Sequence, residues 1–191
     1  MSQKEITRVK KTIRNFLDPS IKFPSEFEIF FKRWALLNSF YNTYSDAYFP
    51  NLGGDCKKVL NFGREFSSIF TKIEEDKIKV LIEPECVGKG KNDSKPDKYV
   101  KEATKQLRVE LSLSNGCENC RPEKKIRCDN LLDVTYLFDP FEALMRIIFQ
   151  IRCNLFHGDK LVFEGKQFER NLRLIKASNL ILATVLKEIS K

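Results

Sequence analysis

The chain has 191 residues, of which 42% are hydrophobic and 12% aromatic, and its formal net charge is +8. This composition excludes an intrinsically disordered chain, and a chain of this length usually forms one domain with a sizeable core, here expected over residues 1–191. No apolar run approaches the ~20 residues that span a bilayer, and residues 1–11 lack the apolar segment of a signal peptide. We therefore expect a cytoplasmic protein with no membrane association.

Apolar residues recur every three or four positions through the first 82 residues, which predicts helices. A first helix is predicted over residues 6–17 and a second from an N-cap at Ser25. A loop over residues 50–54 precedes a third helix with Asp55 as its cap, and residues 78–82 either continue that helix or bend away from it. The predicted buried stripe of the second helix is Phe27, Phe30, Trp34, Leu37, Tyr41 and Tyr44, and that of the third is Val59, Phe62, Phe66, Ile69, Phe70 and Ile73.

The middle of the chain is polar and rich in turn-forming residues, which predicts a hydrophilic loop insertion over about residues 83–130. Within it, residues 99–113 begin with a helical pattern, whereas residues 108–113 alternate polar and apolar and fit either a helix end or a short strand. The insertion has too few apolar residues to form a domain of its own.

Cysteines in this insertion have a spacing that zinc sites use. Cys117, Cys120 and Cys128, with Cys56 or Cys86 as a fourth ligand, could hold a structural zinc ion. A single CxxC without a second pair is a weak signal, so free thiols and no cofactor are the favoured prediction.

Two further helices are predicted in the last third of the chain. Asp139 followed by Pro140 is a typical helix start, because an N-cap precedes a proline in the first turn. The stripe Leu137, Phe141, Leu144, Ile148, Ile151 and Leu155 predicts one buried helix face, and a similar stripe predicts a last helix from about Gln167 to Ile189. The predicted fold is therefore an all-α, antiparallel bundle of four to six helices.

The first of these helices ends in a group of polar residues that a core segment does not need. Residues 152–158 read Arg-Cys-Asn-Leu-Phe-His-Gly, and His157 is the only histidine of the chain. Arginine binds a phosphate through two parallel hydrogen bonds, and histidine moves protons near neutral pH. Five steps of ~100° place Arg152 and His157 on different faces of an ideal helix, so they converge only if the helix loosens near Gly158 or the arginine reaches around.

This motif, with the apolar helix before it and the His-Gly-Asp-Lys sequence after it, resembles the Arg-x4-His motif of the HEPN family. Many members of that family have a polar residue directly after the arginine, whereas here Cys153 takes that position and Asn154 follows. The resemblance implies an all-α, metal-independent endoribonuclease of the toxin–antitoxin, defence or RNA-processing kind. It also implies a homodimer whose two motifs share one cleft.

In such an enzyme the RNA 2′-hydroxyl attacks the adjacent phosphate and leaves a 2′,3′-cyclic phosphate. The resemblance implies that Arg152 and His157 form the catalytic pair, with Asn154 donating a hydrogen bond to the phosphate or orienting the histidine. The implied partners are RNA, a second copy of the chain, and an antitoxin or other protein.

Two alternatives stay open. The chain could be a non-catalytic helical module that binds RNA or a partner protein, since some HEPN members have lost catalysis. At the level of residues, His157 could simply cap the last carbonyls of its helix, and Arg152 could pair with an acid such as Asp159 or Glu142.

Overall fold

A computed structural model describes residues 25–82, 100, 103, 104, 106–108, 110, 111, 139–156 and 165–191. Within those residues the regular secondary structure is entirely helical, which confirms the predicted all-α class. The helices are α1 (Ser25–Tyr48), α2 (Asp55–Glu65), a 3₁₀ helix (Ser67–Lys72), α3 (Glu75–Ile82), α4 (Pro140–Phe156) and α5 (Gly165–Ile189). The helix predicted over residues 6–17 lies outside the described residues.

Helix α1 carries the predicted aromatic stripe on its buried face. Phe30, Leu37 and Tyr41 are fully buried, and this face packs against α5 and α2. The predicted N-cap at Ser25 is wrong, because Ser25 is already helical and its hydroxyl donates to the Glu26 carboxylate at 3.4 Å.

Helices α2 and α4 approach each other closely at Gly63. A Cβ atom at this position would lie 2.7 Å from the Cα of Glu142, so only a residue without a side chain fits there. The same crossing is bridged by charge, since the guanidinium of Arg64 donates to both oxygens of the buried Glu142 carboxylate, at 3.2 Å each. Arg146, one turn along α4, lies 3.9 Å from the same carboxylate. The backbone contact at Gly63 and the Arg64–Glu142 pair fix α4 against α2.

The third helix is shorter than its apolar stripe predicts. Helix α2 ends at Glu65, and residues Ser67–Lys72 form a 3₁₀ helix in which the Ile69 amide donates to the Phe66 carbonyl at 3.0 Å. Residues 78–82, for which the sequence allows either a continuation of the third helix or a bend, belong to the separate helix α3, which packs on α5. Steps of three and four residues suit both helix types, so the stripe could not reveal this break.

Part of the predicted hydrophilic insertion is a buried helical segment. Residues 100, 103, 104, 106–108 and 110 are helical, and Ala103 and Leu107 are fully buried in the core. The helical start predicted for residues 99–113 is therefore confirmed, and Arg108 and Glu110, in the stretch left open between helix and strand, are helical rather than extended. Residues 83–99 and 112–138 lie outside the described residues.

Aromatic rings join α1, α2 and α4 into one core. Phe62 stacks on Phe66 at 4.9 Å between ring centroids and meets Phe40 of α1 and Phe141 of α4 edge-on. Trp34, nearer the N-terminus of α1, packs against Phe149 of α4 with 6.1 Å between ring centroids. Burial of these large rings contributes strongly to the stability of the bundle.

Helix α5 covers the remaining side of α1, as its predicted stripe requires. The side chain of its buried Asn179 donates from Nδ2 to the backbone carbonyl of Glu26 at 2.8 Å. The backbone carbonyl of Asn179 accepts from the Arg33 guanidinium at 2.7 Å. These two bonds fix the first turns of α1 against the middle of α5.

Candidate functional site

The start and buried face of α4 determine where the motif residues lie. Asp139 caps the helix as predicted, since its Oδ1 accepts from the Phe141 amide at 2.8 Å. The buried face of the helix continues through Ile148 and Leu155 near its C-terminal end. Arg152 lies between these two core residues in sequence, and its side chain is 26% exposed at the edge of the bundle.

The Arg152 guanidinium is held by contacts from two helices. Its Nη1 lies 3.8 Å from Oδ2 of Asp55 at the start of α2, and 3.9 Å from the Cys153 sulfur. Its central carbon lies 5.8 Å from the centroid of the Phe149 ring, within the range of a cation–π contact. The separation from Asp55 is that of an ion pair and exceeds hydrogen-bond length. Of the two acids considered as partners for Arg152, Glu142 instead pairs with Arg64, and Asp159 lies outside the described residues.

Asp55 is part of this site, although the sequence predicted it as a helix cap. That prediction is wrong, because Gly54 occupies the cap position with φ 82° and its carbonyl accepts from the amides of Lys57 and Lys58. A positive φ is readily adopted by glycine. Asp55 is therefore the first helical residue, and its carboxylate is free to turn towards α1 and α4.

Tyr41 of α1 fixes the orientation of that carboxylate. Its hydroxyl donates to Oδ1 of Asp55 at 2.5 Å and also contacts the side-chain oxygen of Asn38. Burial raises the pKa of Tyr41 well above its ordinary value of 10.0, the bond to Asp55 raises it further, and the nearby Arg152 cation opposes the change. The phenol therefore keeps its proton, and remains a donor to Asp55, throughout the neutral range.

Asn154 lies in different surroundings from Arg152. Its Oδ1 accepts from Gln150 at 3.0 Å, and it lines a small cavity of about 30 Å³ with Ile151, Leu155, Asn171 and Leu174. Two residues along a helix is a turn of ~200°, so Arg152 and Asn154 project to opposite sides. The described residues thus do not bring these two predicted site residues together, and the role of Asn154 stays a prediction.

Several predicted site residues lie outside the described residues. These are His157, with the following Gly158, Asp159 and Lys160, and the candidate zinc ligands Cys86, Cys117, Cys120 and Cys128. Cys56 and Cys153 are described and are free thiols, and no group of three metal-binding side chains occurs among the residues with described positions.

Sequence reasoning missed the pair formed by Tyr41 and Asp55. One signal was present, because a tyrosine within a buried stripe needs a partner for its hydroxyl. The identity of that partner depends on how α2 packs against α1 and α4, which no local pattern encodes.

Comparisons with protein-family models, with curated proteins and with solved structures gave no match. Within the described part of the chain, no helix combines the length and the apolar character needed to cross a bilayer.

Proposed function

We propose that this chain is a HEPN-like, metal-independent endoribonuclease that acts as a homodimer. The observation that carries the proposal is the position of Arg152. It lies near the end of a helix with a buried apolar face, in an all-α fold, with its guanidinium partly exposed and held by Asp55. A fixed, partly exposed guanidinium can bind a phosphodiester that approaches from solvent.

The proposed reaction requires no metal. The 2′-oxygen of RNA forms a bond to phosphorus while the bond from phosphorus to the 5′-oxygen breaks, which leaves a 2′,3′-cyclic phosphate and a 5′-hydroxyl. One proton leaves the 2′-hydroxyl and another reaches the departing 5′-oxygen. Arg152 stabilises the charge on the phosphate and His157 transfers a proton.

A dimer completes the proton transfers. Each chain has a single histidine, whereas the reaction moves two protons. A twofold axis that passes between two copies of the motif would supply a second His157 and a second Arg152. Sedimentation of the purified protein tests this assembly directly.

The cleavage experiment uses a labelled RNA in EDTA and identifies the product ends by mass spectrometry. We expect cyclic phosphate ends from the wild type. His157→Ala should lower the rate about 10²- to 10⁴-fold, the range for a lost acid–base group. Arg152→Ala should lower it about 10²- to 10³-fold, the range for a lost charge-stabilising donor.

Arg173→Ala is the matched control, because it removes the same charge from an exposed position on α5. It should leave the rate within about twofold, as surface changes generally have small effects. Full cleavage by both motif variants would refute the proposal.

The second candidate is a non-catalytic module that binds RNA or a protein such as an antitoxin. The ion pair with Asp55 favours it, because it gives Arg152 a partner inside the fold. Under this alternative RNA binding falls steeply with salt and no cyclic phosphate forms in the EDTA assay.

A further inference from the structure

We propose that Asp55 is a positioning residue for Arg152 and that Tyr41 in turn orients Asp55. The proposal rests on the function proposed above. It assigns a role to two residues outside the Arg-x4-His motif, on two other helices.

The geometry forms a chain of contacts from the core to the site. The Tyr41 side chain is fully buried on α1, and it bonds one oxygen of the Asp55 carboxylate at 2.5 Å. The other oxygen faces Nη1 of Arg152 at 3.8 Å. Because the two oxygens contact different partners, the tyrosine fixes the plane of the carboxylate that faces the guanidinium.

The ion pair itself adds little to stability. The side chains of Arg152 and Asp55 are 26% and 37% exposed, and pairs with this exposure are screened by water. The main effect of the ion pair is therefore to orient the Arg152 guanidinium. With the Phe149 ring near the guanidinium, Asp55 restricts an otherwise flexible side chain to few orientations.

The same carboxylate also acts against substrate binding. A phosphate at Arg152 would carry a negative charge close to that of Asp55, and like charges repel. Asp55 should therefore weaken the binding of RNA while it keeps Arg152 ready for the reaction. Removal of the charge should produce opposite changes in affinity and in rate, which a general loss of structure would not.

The test measures kcat and KM for RNA cleavage and, separately, the affinity for a 2′-O-methyl RNA oligonucleotide that cannot be cut. For Asp55→Asn we expect kcat to fall between about tenfold and about 100-fold, the effect of a misplaced catalytic group. Affinity for the uncut oligonucleotide should rise, by up to about fivefold, as expected for one partly exposed charge. Tyr41→Phe should lower kcat by a smaller factor and leave affinity unchanged, because the carboxylate charge remains.

Two control variants match these changes. Asp46→Asn removes a carboxylate whose side chain is 68% exposed at the surface of α1, and Tyr48→Phe removes a hydroxyl from an exposed tyrosine on the same helix. Neither should alter kcat or affinity. If Asp46→Asn tightens binding as much as Asp55→Asn, the effect is one of net charge and the positioning role is overturned.

The outcomes separate this inference from the proposed function. Unchanged kcat in both Asp55→Asn and Tyr41→Phe, with Arg152→Ala inactive, overturns the positioning role and leaves the function standing. Parallel loss of cleavage, affinity and melting temperature in Asp55→Asn indicates a structural role and also overturns it.

If the wild type binds RNA without cutting it, the proposed function is refuted. The affinity measurements then test the positioning role of Asp55. Tighter binding by Asp55→Asn that disappears in an Arg152→Ala background supports control of Arg152 by Asp55. Equal binding in all of these variants overturns it.

Discussion

Replacement of Gly63 by alanine should force α2 and α4 apart. The added Cβ would lie 2.7 Å from the Cα and 3.1 Å from the backbone nitrogen of Glu142, and 3.3 Å from the carbonyl oxygen of Phe141. Carbon atoms in contact normally lie about 3.5–4.0 Å apart. Because all three neighbours are backbone atoms, no side-chain rotation relieves the overlap, and one helix has to shift.

The cost can be worked out from these distances. Overpacking of a well-packed core costs about 1–3 kcal/mol, and rigid backbone neighbours place this site near the upper end. Alanine is favoured over glycine inside a helix by about 1 kcal/mol, which partly offsets the overlap. We therefore expect Gly63→Ala to lower the free energy of unfolding by about 2 kcal/mol.

Urea denaturation followed by far-ultraviolet circular dichroism measures this change, since the described structure is helical. Gly53→Ala is the control, because a Cβ there meets no atom within 4 Å. The control should unfold within about 0.5 kcal/mol of the wild type. A Gly63→Ala protein as stable as the wild type would refute the reasoning, because it would mean that α2 and α4 do not approach this closely. Since α2 also carries Asp55, the same variant should disturb the Asp55–Arg152 pair and, under the proposed function, slow RNA cleavage.

Two other predictions concern the core. Above pH 10 the wild type should lose stability more steeply than Tyr41→Phe, because unfolded Tyr41 loses its proton near its ordinary pKa of 10.0 whereas folded Tyr41, with its raised pKa, retains it. The unfolded state then binds fewer protons, so rising pH stabilises it relative to the folded state. The slopes of unfolding free energy against pH for the two proteins should therefore differ by up to about 1.4 kcal/mol per pH unit. Parallel slopes would contradict the burial of this phenol. Asn179→Ala should lower the free energy of unfolding by about 1–2 kcal/mol in the urea assay, because the bond to the Glu26 carbonyl is lost from a buried position. Leu180→Ala, at an exposed position next to it, should cost less than about 0.5 kcal/mol, and equal effects of the two changes would count against the α1–α5 bond.

Much of the helical architecture could be predicted from the sequence because burial is periodic. Phe27, Phe30, Trp34 and Leu37 are spaced for one helix face and lie on it, and Asp139 with Pro140 begins α4 as predicted. Periodicity does not distinguish α-helix from 3₁₀ helix, so it could not place the break at Phe66. It also did not predict that residues 103 and 107 are buried, because two apolar residues within a polar stretch make a weak stripe.

The candidate site was only partly predictable, for a different reason. Arg152 was recognisable because it stands close to Asn154 and His157 at the end of an apolar helix. Asp55 follows two glycines and precedes a helical pattern, which favours a cap, whereas its carboxylate contacts Tyr41 of α1 and Arg152 of α4. Such contacts between distant residues follow from the packing of helices, which no local sequence pattern encodes.

The placement of Trp34 gives this protein a built-in optical reporter. It is the only tryptophan of the chain, 3% exposed, and its indole lies 6.1 Å from the Phe149 ring and 6.2 Å from that of Tyr41. Phe149 in turn contacts Arg152, and Tyr41 donates a hydrogen bond to Asp55. Its emission should therefore respond when an oligonucleotide engages the guanidinium, so that occupancy can be titrated on the unlabelled protein.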